Sequence, residues 1–313
     1  MTRATVLRVL LAVFVLHGGW VVSSQTQKPP GPLRTERVKD DLYMVAGEGG
    51  NVALYVTSEG VVLVDDMFDR NHADILAEVR KVTTQPLRYV INTHQHDDHA
   101  GGDLKMLGLA EVIAHRNARA NLANLKRPYY EDTPGTPIGL PRVTFARELA
   151  VHVGGREVQA HYFGRGHTSG DAVIYFPAHR TIHTGDLFLA RRAPQAGAQP
   201  RPPGVNIYVD YVQGGSFLEW SQALDGILAL DFDTVIPGHG AVSTRADVVR
   251  FKSDLETMRN RLAGFIAAGS SRAEVVRMLE DDYGWRSTGC PPSPPTAGCL
   301  QYQQVDALNE ELG

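Results

Sequence analysis

Read from residue 40 onward, the chain alternates short apolar runs with runs of helical spacing. Residues 42–46, 51–56 and 61–64 are β-rich stretches broken by Gly47–Gly50 and Ser58–Gly60, which predicts a meander of strands. Ile75, Leu76 and Val79 recur at helical spacing and predict a helix over 72–81; residues 88–92 read as a buried strand and 111–114 as another. Further strands are predicted at 143–145, 148–153, 157–163, 172–176, 181–184 and 233–236, with turn chemistry such as Gly154-Gly155 between them. Helices are predicted over 217–230, 244–267, 275–279 and 301–312. Thr244 with Asp247, and Ser271 with Glu274, stand at capping-box spacing. The stripe Val248, Phe251, Leu255, Met258, Leu262 and Phe265 alternates by three and four. It is too short for a coiled-coil seam and reads as a packing face.

Two stretches lack any pattern. Residues 127–141 hold four Pro and two Gly, and 191–213 runs from Arg191 and Arg192 through a Pro/Gly-rich segment to Tyr208 and Tyr211. Loops of this length in a compact domain are usually either functional or disordered, so each reads as a substrate-lining loop or a surface linker. The second is the stronger candidate for lining a substrate, through Tyr208 and Tyr211. At the N-terminus, Arg3 and Arg8 precede an apolar run shorter than a membrane span, followed by small residues. Residues 1–24 therefore read as a cleaved secretory signal, and 25–38 as a Pro-rich linker. A periplasmic or secreted protein with no membrane attachment after cleavage is expected.

At 313 residues and 43% hydrophobic, the chain can bury a sizeable core. The expected partner is a small-molecule substrate, and a net charge of −4 provides no overall basic field for nucleic acid. Two cysteines exclude a Cys-based zinc module. Secretion would put Cys290 and Cys299, nine positions apart in a Pro-rich loop, in an oxidising compartment, and a disulfide stapling the terminal helix is expected.

Twelve histidines are the informative excess. Residues 93–102 read THQHDDHAGG, so His94, His96, Asp98 and His99 fall within six positions directly after a predicted strand. Imidazole and carboxylate are preferred ligands of zinc and similar divalent ions, and alternate side chains leaving a strand point the same way. His167 in GRGHTSGD, Asp186 in HTGDLF and His239 in IPGHGAV each follow an apolar β run and stand beside glycine. Together these make seven N/O ligands, enough for two ions sharing a carboxylate. No H-E-x-x-H, phosphate-binding Gly-rich loop or G-x-S-x-G is present.

These motifs, in this order, resemble the metallo-β-lactamase superfamily over roughly residues 42–242. The resemblance implies an α/β fold, a four-layer αβ/βα sandwich over 39–268, with a C-terminal helical extension at 269–313. It implies one zinc held by His94, His96 and His167, a second by Asp98, His99 and His239, and Asp186 bridging them; iron or manganese are alternatives. Asp65 or Asp66 matches the family's early acidic residue, with Asp65 favoured as the group orienting a ligand histidine. His72, His115, His152, His161, His179 and His183 match no ligand motif. The implied activity is hydrolysis of an ester, lactone, thioester or amide carbonyl, β-lactams included, by a metal-bridging hydroxide with Asp98 as catalytic residue. Zinc β-lactamases of the family usually carry Cys or Ser where Asp186 stands, so the chain looks more like the family's broader hydrolases. Two alternatives come from other classes: a mononuclear iron oxygenase acting on persulfides, and a non-catalytic metal-binding module.

Overall fold

A computed structural model describes residues 32–124, 139–190, 207–283 and 302–313. The expected signal peptide, the Cys290–Cys299 pair, and Arg191 and Arg192 lie outside them.

Among the described residues, thirteen strands form two sheets. The first, in spatial order, is β1 (Arg34–Arg37), β2 (Leu42–Ala46), β3 (Val52–Val56), β4 (Val61–Val64), β5 (Leu87–Ile91), β6 (Glu111–His115) and β7 (Val143–Phe145). It is antiparallel from β1 to β4 and parallel from β4 to β7. The second comprises β8 (Glu148–Val153), β9 (Arg156–His161), β10 (Val173–Phe176), β11 (Thr181–His183), β12 (Thr234–Ile236) and β13 (Ser243–Thr244), in spatial order from β8 to β13. Only β11 and β12 pair in parallel there.

Period-two alternation sorts each central strand between two cores. In β4, Val62 and Val64 face the second sheet with Leu42, Tyr55, Ile91, Ile174 and Phe176. Val61 and Leu63 face outward beneath α1 (His72–Val82) and α3 (Asp103–Met106), against Ile75, Val79 and Met106. All four residues of β4 are buried, which accounts for its unbroken apolar run. The outer face of the second sheet is covered by α5 (Phe217–Ala229), α6 (Arg245–Ala267), α7 (Arg272–Tyr283) and α8 (Tyr302–Leu312). Val173, Ile182 and Val235 meet Trp220, Leu224, Phe251, Leu255, Leu279 and Leu308 there. The order is helix, sheet, sheet, helix, as expected of the αβ/βα sandwich. The α6 stripe is a packing face, and its capping box forms in both directions between Thr244 and Asp247. The C-terminal helices share the α5–α6 core.

The linker expected to reach residue 38 ends sooner. Arg34–Arg37 pairs with β2 as an edge strand, held by backbone hydrogen bonds with three of its four side chains exposed, so RTER shows no apolar alternation.

Beneath the start of α3, Asp66 and Asp103 are fully buried side by side. Asp66 accepts from the Gly102 N–H (2.9 Å) and Asp103 from Asn92 Nδ2 (3.0 Å). Burial raises both carboxyls above the ordinary range; the neighbouring charge of Asp103 adds to this at Asp66, and that of Asp65 at Asp103. An acid with a raised folded pKa keeps its proton at pH values where the unfolded chain has released it. Stability therefore falls as pH rises from the ordinary carboxylate range toward the raised value. Asp103→Asn supplies a permanent N–H donor without that penalty. Its thermal midpoint, measured on metal-free protein, is expected to gain on the wild type more at pH 8 than at pH 5. Parallel pH curves for the two proteins would contradict this.

Candidate metal centre

The strands deliver their chemistry to one edge of the sandwich. Asp65 follows β4; Thr93, His94 and His96 follow β5; Asp98 and His99 lie on the single turn of α2 (Asp97–Ala100). His167 sits between β9 and β10, Asp186 in a 3-10 turn (Gly185–Leu187) after β11, and His239 after β12. All seven ligand-type side chains anticipated from the motifs converge there.

His96 Nδ1 lies 3.2 Å from His94 Nε2 and 2.9 Å from His167 Nε2. A second group forms around His99 Nε2, 3.3 Å from His239 Nε2, with Asp98 Oδ2 3.1 Å from His239 Nε2. Asp186 lies between them: Oδ1 is 3.2 Å from His99 Nε2, and Oδ2 is 3.6 Å from His167 Nε2. Among the described residues, three sets fall within metal-sharing distance: His94 with His96 and His167, His94 with His99 and Asp186, and Asp98 with His99 and His239.

The outer partners decide what these nitrogens present. His96 Nε2 donates to Asp210 Oδ2 (2.9 Å), which leaves Nδ1 bare. His167 Nδ1 donates to the Tyr208 carbonyl (2.6 Å), which leaves Nε2 bare. His99 Nδ1 donates to Asp65 Oδ2 (2.7 Å). Thr93 Oγ1 donates to Asp65 (2.8 Å), so it accepts from His94 Nδ1 (3.1 Å). Four lone pairs thus face the centre, and neutral imidazoles cannot hydrogen-bond to one another through lone pairs. A cation resolves that conflict. With zinc–nitrogen bonds of about 2.0–2.1 Å, ligand nitrogens of a tetrahedral centre stand about 3.3 Å apart, close to the spacings here. The residues fit divalent ions.

The pKa shifts cut across the two groups, because His96 is raised while its neighbours His94 and His167 are lowered. Burial, then the neighbouring His99 and His96, hold His94 well below its ordinary pKa; burial and His96 push His167 down to about 4. Burial also opposes charge on His96, His99 and His239, but the adjacent carboxylates win and raise all three. Asp98 and Asp186 are held ionised against burial, each by His99 and His239.

Asp65 lies directly behind His99. It is fully buried and accepts three hydrogen bonds, from His99 Nδ1, Thr93 N–H (2.7 Å) and Thr93 Oγ1. Its backbone is left-handed (φ +65°), an uncommon conformation for a non-glycine residue and one that Asp tolerates better than most. Close approach dictates glycine nearby: a β-carbon on Gly238 would lie 2.0 Å from Asp186 Oδ1, and one on Gly50 2.2 Å from the His99 ring.

The two tyrosines separate. The Tyr208 ring lies 5.6 Å from His167 and 6.3 Å from His96, centroid to centroid. Tyr211 directs its hydroxyl to Glu311 on α8 and not to the histidines. Two residues escaped the motif reading. Asp210 orients His96 from 114 positions away, and its one sequence signal is an acid inside the aromatic end of the 191–213 loop. Asn51 donates to the carbonyls of Pro237 and Gly240 (2.9 Å each), tying the first sheet to the loop of His239. Its own carbonyl accepts from His183, a histidine that matched no ligand motif and proves to be a buried brace.

The chain matches the metallo-β-lactamase superfamily over residues 45–239. It is 30% identical over 214 residues to a metallo-β-lactamase type 2 of Bacillus cereus, covering 66% of this chain and 74% of that protein. With metallo-β-lactamase IND-1 of Chryseobacterium indologenes it shares 24% over 192 residues, 60% of this chain and 71% of the relative. The solved metallo-β-lactamase of Pontibacter korlensis superposes with a TM-score of 0.57 at 20% identity, over 72% of this chain and 99% of its own. That fold, a matched span containing all seven ligand-type side chains, and their convergence at one sheet edge lead to one conclusion: the chain belongs to the metallo-β-lactamase superfamily.

Proposed function

We propose that the protein is a secreted or periplasmic di-zinc hydrolase acting on the carbonyl of a small-molecule ester, lactone or thioester. The observation that carries this is the set of imidazoles whose outer hydrogen bonds turn bare nitrogens toward two adjoining groups, with Asp186 within reach of both. His94, His96 and His167 would hold one ion; Asp98, His99 and His239 the other; Asp186 would be shared. Bound zinc supplies a lowered water pKa and polarisation of the substrate carbonyl. Asp98, kept ionised by His99 and His239, accepts a proton of the attacking water and aims its lone pair. Asp210 and Asp65 hold their histidines in one tautomer throughout. Tyr208, beside His96 and His167, forms part of the wall against which the substrate lies.

Asp186 also argues for the substrate class. Its carboxylate puts negative charge where a leaving group's charge develops. Amide nitrogen, a poor leaving group, needs the most stabilisation, while alkoxide and thiolate need less. The likeness to named β-lactamases carries the second reading, hydrolysis of β-lactams. A panel of ester, lactone, thioester and β-lactam substrates, assayed with zinc-loaded protein, separates the two. The expected result is a higher kcat/KM on an oxygen or sulfur ester than on every β-lactam. A penicillin or carbapenem turned over faster than all esters tried would establish the second reading.

A further inference from the structure

The C-terminal helix is bonded to the segment that carries outer partners of the histidine cluster. Glu311, on the last turn of α8, accepts from the Tyr211 hydroxyl (2.7 Å), the Ser216 hydroxyl, and the backbone N–H groups of Phe217 (3.0 Å) and Leu218 (3.4 Å). The two N–H groups belong to the first turn of α5, which has no intrahelical acceptor for them. A carboxylate is favoured there by the helix dipole as well. Burial and the charge of Glu311 raise the Tyr211 phenol, so it stays protonated and donates. The helix carrying Glu311 is seated by Val305 and Leu308, both buried in one cluster with Phe217 and Trp220.

The anchored segment, residues 208–217, carries two of the outer partners described above. The Tyr208 carbonyl holds His167 Nδ1, and Asp210 holds His96 Nε2. Between these groups and α5 the chain turns through Gly214 (φ +77°) and Gly215, which have no side chains with which to brace it. Glu311 clamps both sides of that turn, at Tyr211 and at Ser216–Leu218. The next turn of α5 is tied to the site too, because Trp220 Nε1 donates to the carbonyl of Leu187, next to Asp186 (3.0 Å).

We propose that Glu311 is a positioning residue. By fixing the Tyr211–Leu218 turn, it sets the Tyr208 carbonyl and Asp210, and hence the ring planes and bare nitrogens of His167 and His96. The C-terminal extension is then a structural part of the metal centre. The proposal rests on reading His94, His96 and His167 as one metal-holding group.

The test uses full-length protein, titrated with zinc against a competing chelator and with cobalt(II) followed by its visible absorption. Glu311→Ala is expected to weaken one of the two zinc equivalents on the order of 10-fold, the low end of what losing a ligand's outer partner costs. The cobalt bands of that site should shift. Glu311→Gln keeps an acceptor oxygen without the charge and should move both readouts the same way by less, and it serves as the test if the alanine variant does not fold. Asp306→Ala, on the same helix as Glu311, breaks the exposed pair with Arg272 of α7 and should leave both unchanged. A Glu311 variant that lowers only the melting point of the metal-free protein, with wild-type zinc affinities and cobalt spectrum, would overturn the positioning role. Wild-type protein that takes up neither ion would instead overturn the metal reading beneath it.

Discussion

Asp186→Ala is expected to weaken zinc binding more than about 100-fold and to remove hydrolysis with it. The bound rests on comparison: loss of an outer partner of a ligand costs about 10–100-fold, and Asp186 faces both ligand groups directly. The effect should fall on both equivalents, since one carboxylate oxygen faces His99 and the other His167. The control is His115→Ala. His115 is equally buried, stacked on Tyr162 with centroids 3.9 Å apart and bonded to the Ala146 carbonyl (3.0 Å). Its removal should cost stability and leave zinc affinity alone. Competition with a chelator reads both. Equal zinc affinities in the two variants would contradict the role assigned to Asp186.

Asp65 carries the second large effect, and here stability and binding move together. Asp65→Ala leaves the buried Thr93 N–H and the His99 Nδ1–H without acceptors, and each orphaned group costs about 1–3 kcal/mol. The alanine must also adopt the left-handed backbone, adding about 1–2 kcal/mol. A loss of about 3–8 kcal/mol in unfolding free energy is expected, with zinc affinity of the His99 group falling about 10–100-fold. Asp65→Asn separates these contributions. Asparagine tolerates the left-handed backbone and keeps one acceptor oxygen, so it should recover much of the stability while still failing to orient His99 and Thr93 together. Denaturant unfolding and chelator competition on the two variants check this. Equal effects of Ala and Asn on both would show that the three hydrogen bonds are not what Asp65 contributes.

How much of this could be read beforehand depends on whether the cause is local. The buried strands were legible because β4 and its neighbours are apolar on both faces, and α6 because its stripe and its Thr244–Asp247 box repeat within a few residues. The seven ligand-type residues were legible because metal chemistry restricts residue type and each motif ends a strand. Features held by distant partners were not. Edge strand β1 is RTER, with no apolar alternation, and is ordered by the backbone of β2. Helix α4 (Arg116–Asn124) buries only Ala118 and Leu122, too few positions to show a period. Asp210 and Glu311 act across 114 and about 100 residues, on His96 and Tyr211, and no window of sequence holds both ends of such a contact. Tyr208 and Tyr211 were indistinguishable in sequence. Three positions apart around a 3-10 turn, one faces the histidines and the other α8.

In the proposed enzyme, this edge of the sandwich holds a pair of divalent ions between two groups of ligands sharing Asp186. Elemental analysis of the purified full-length protein by mass spectrometry tests it most directly. Close to two zinc ions per chain are expected; one iron and no zinc would rule the zinc pair out.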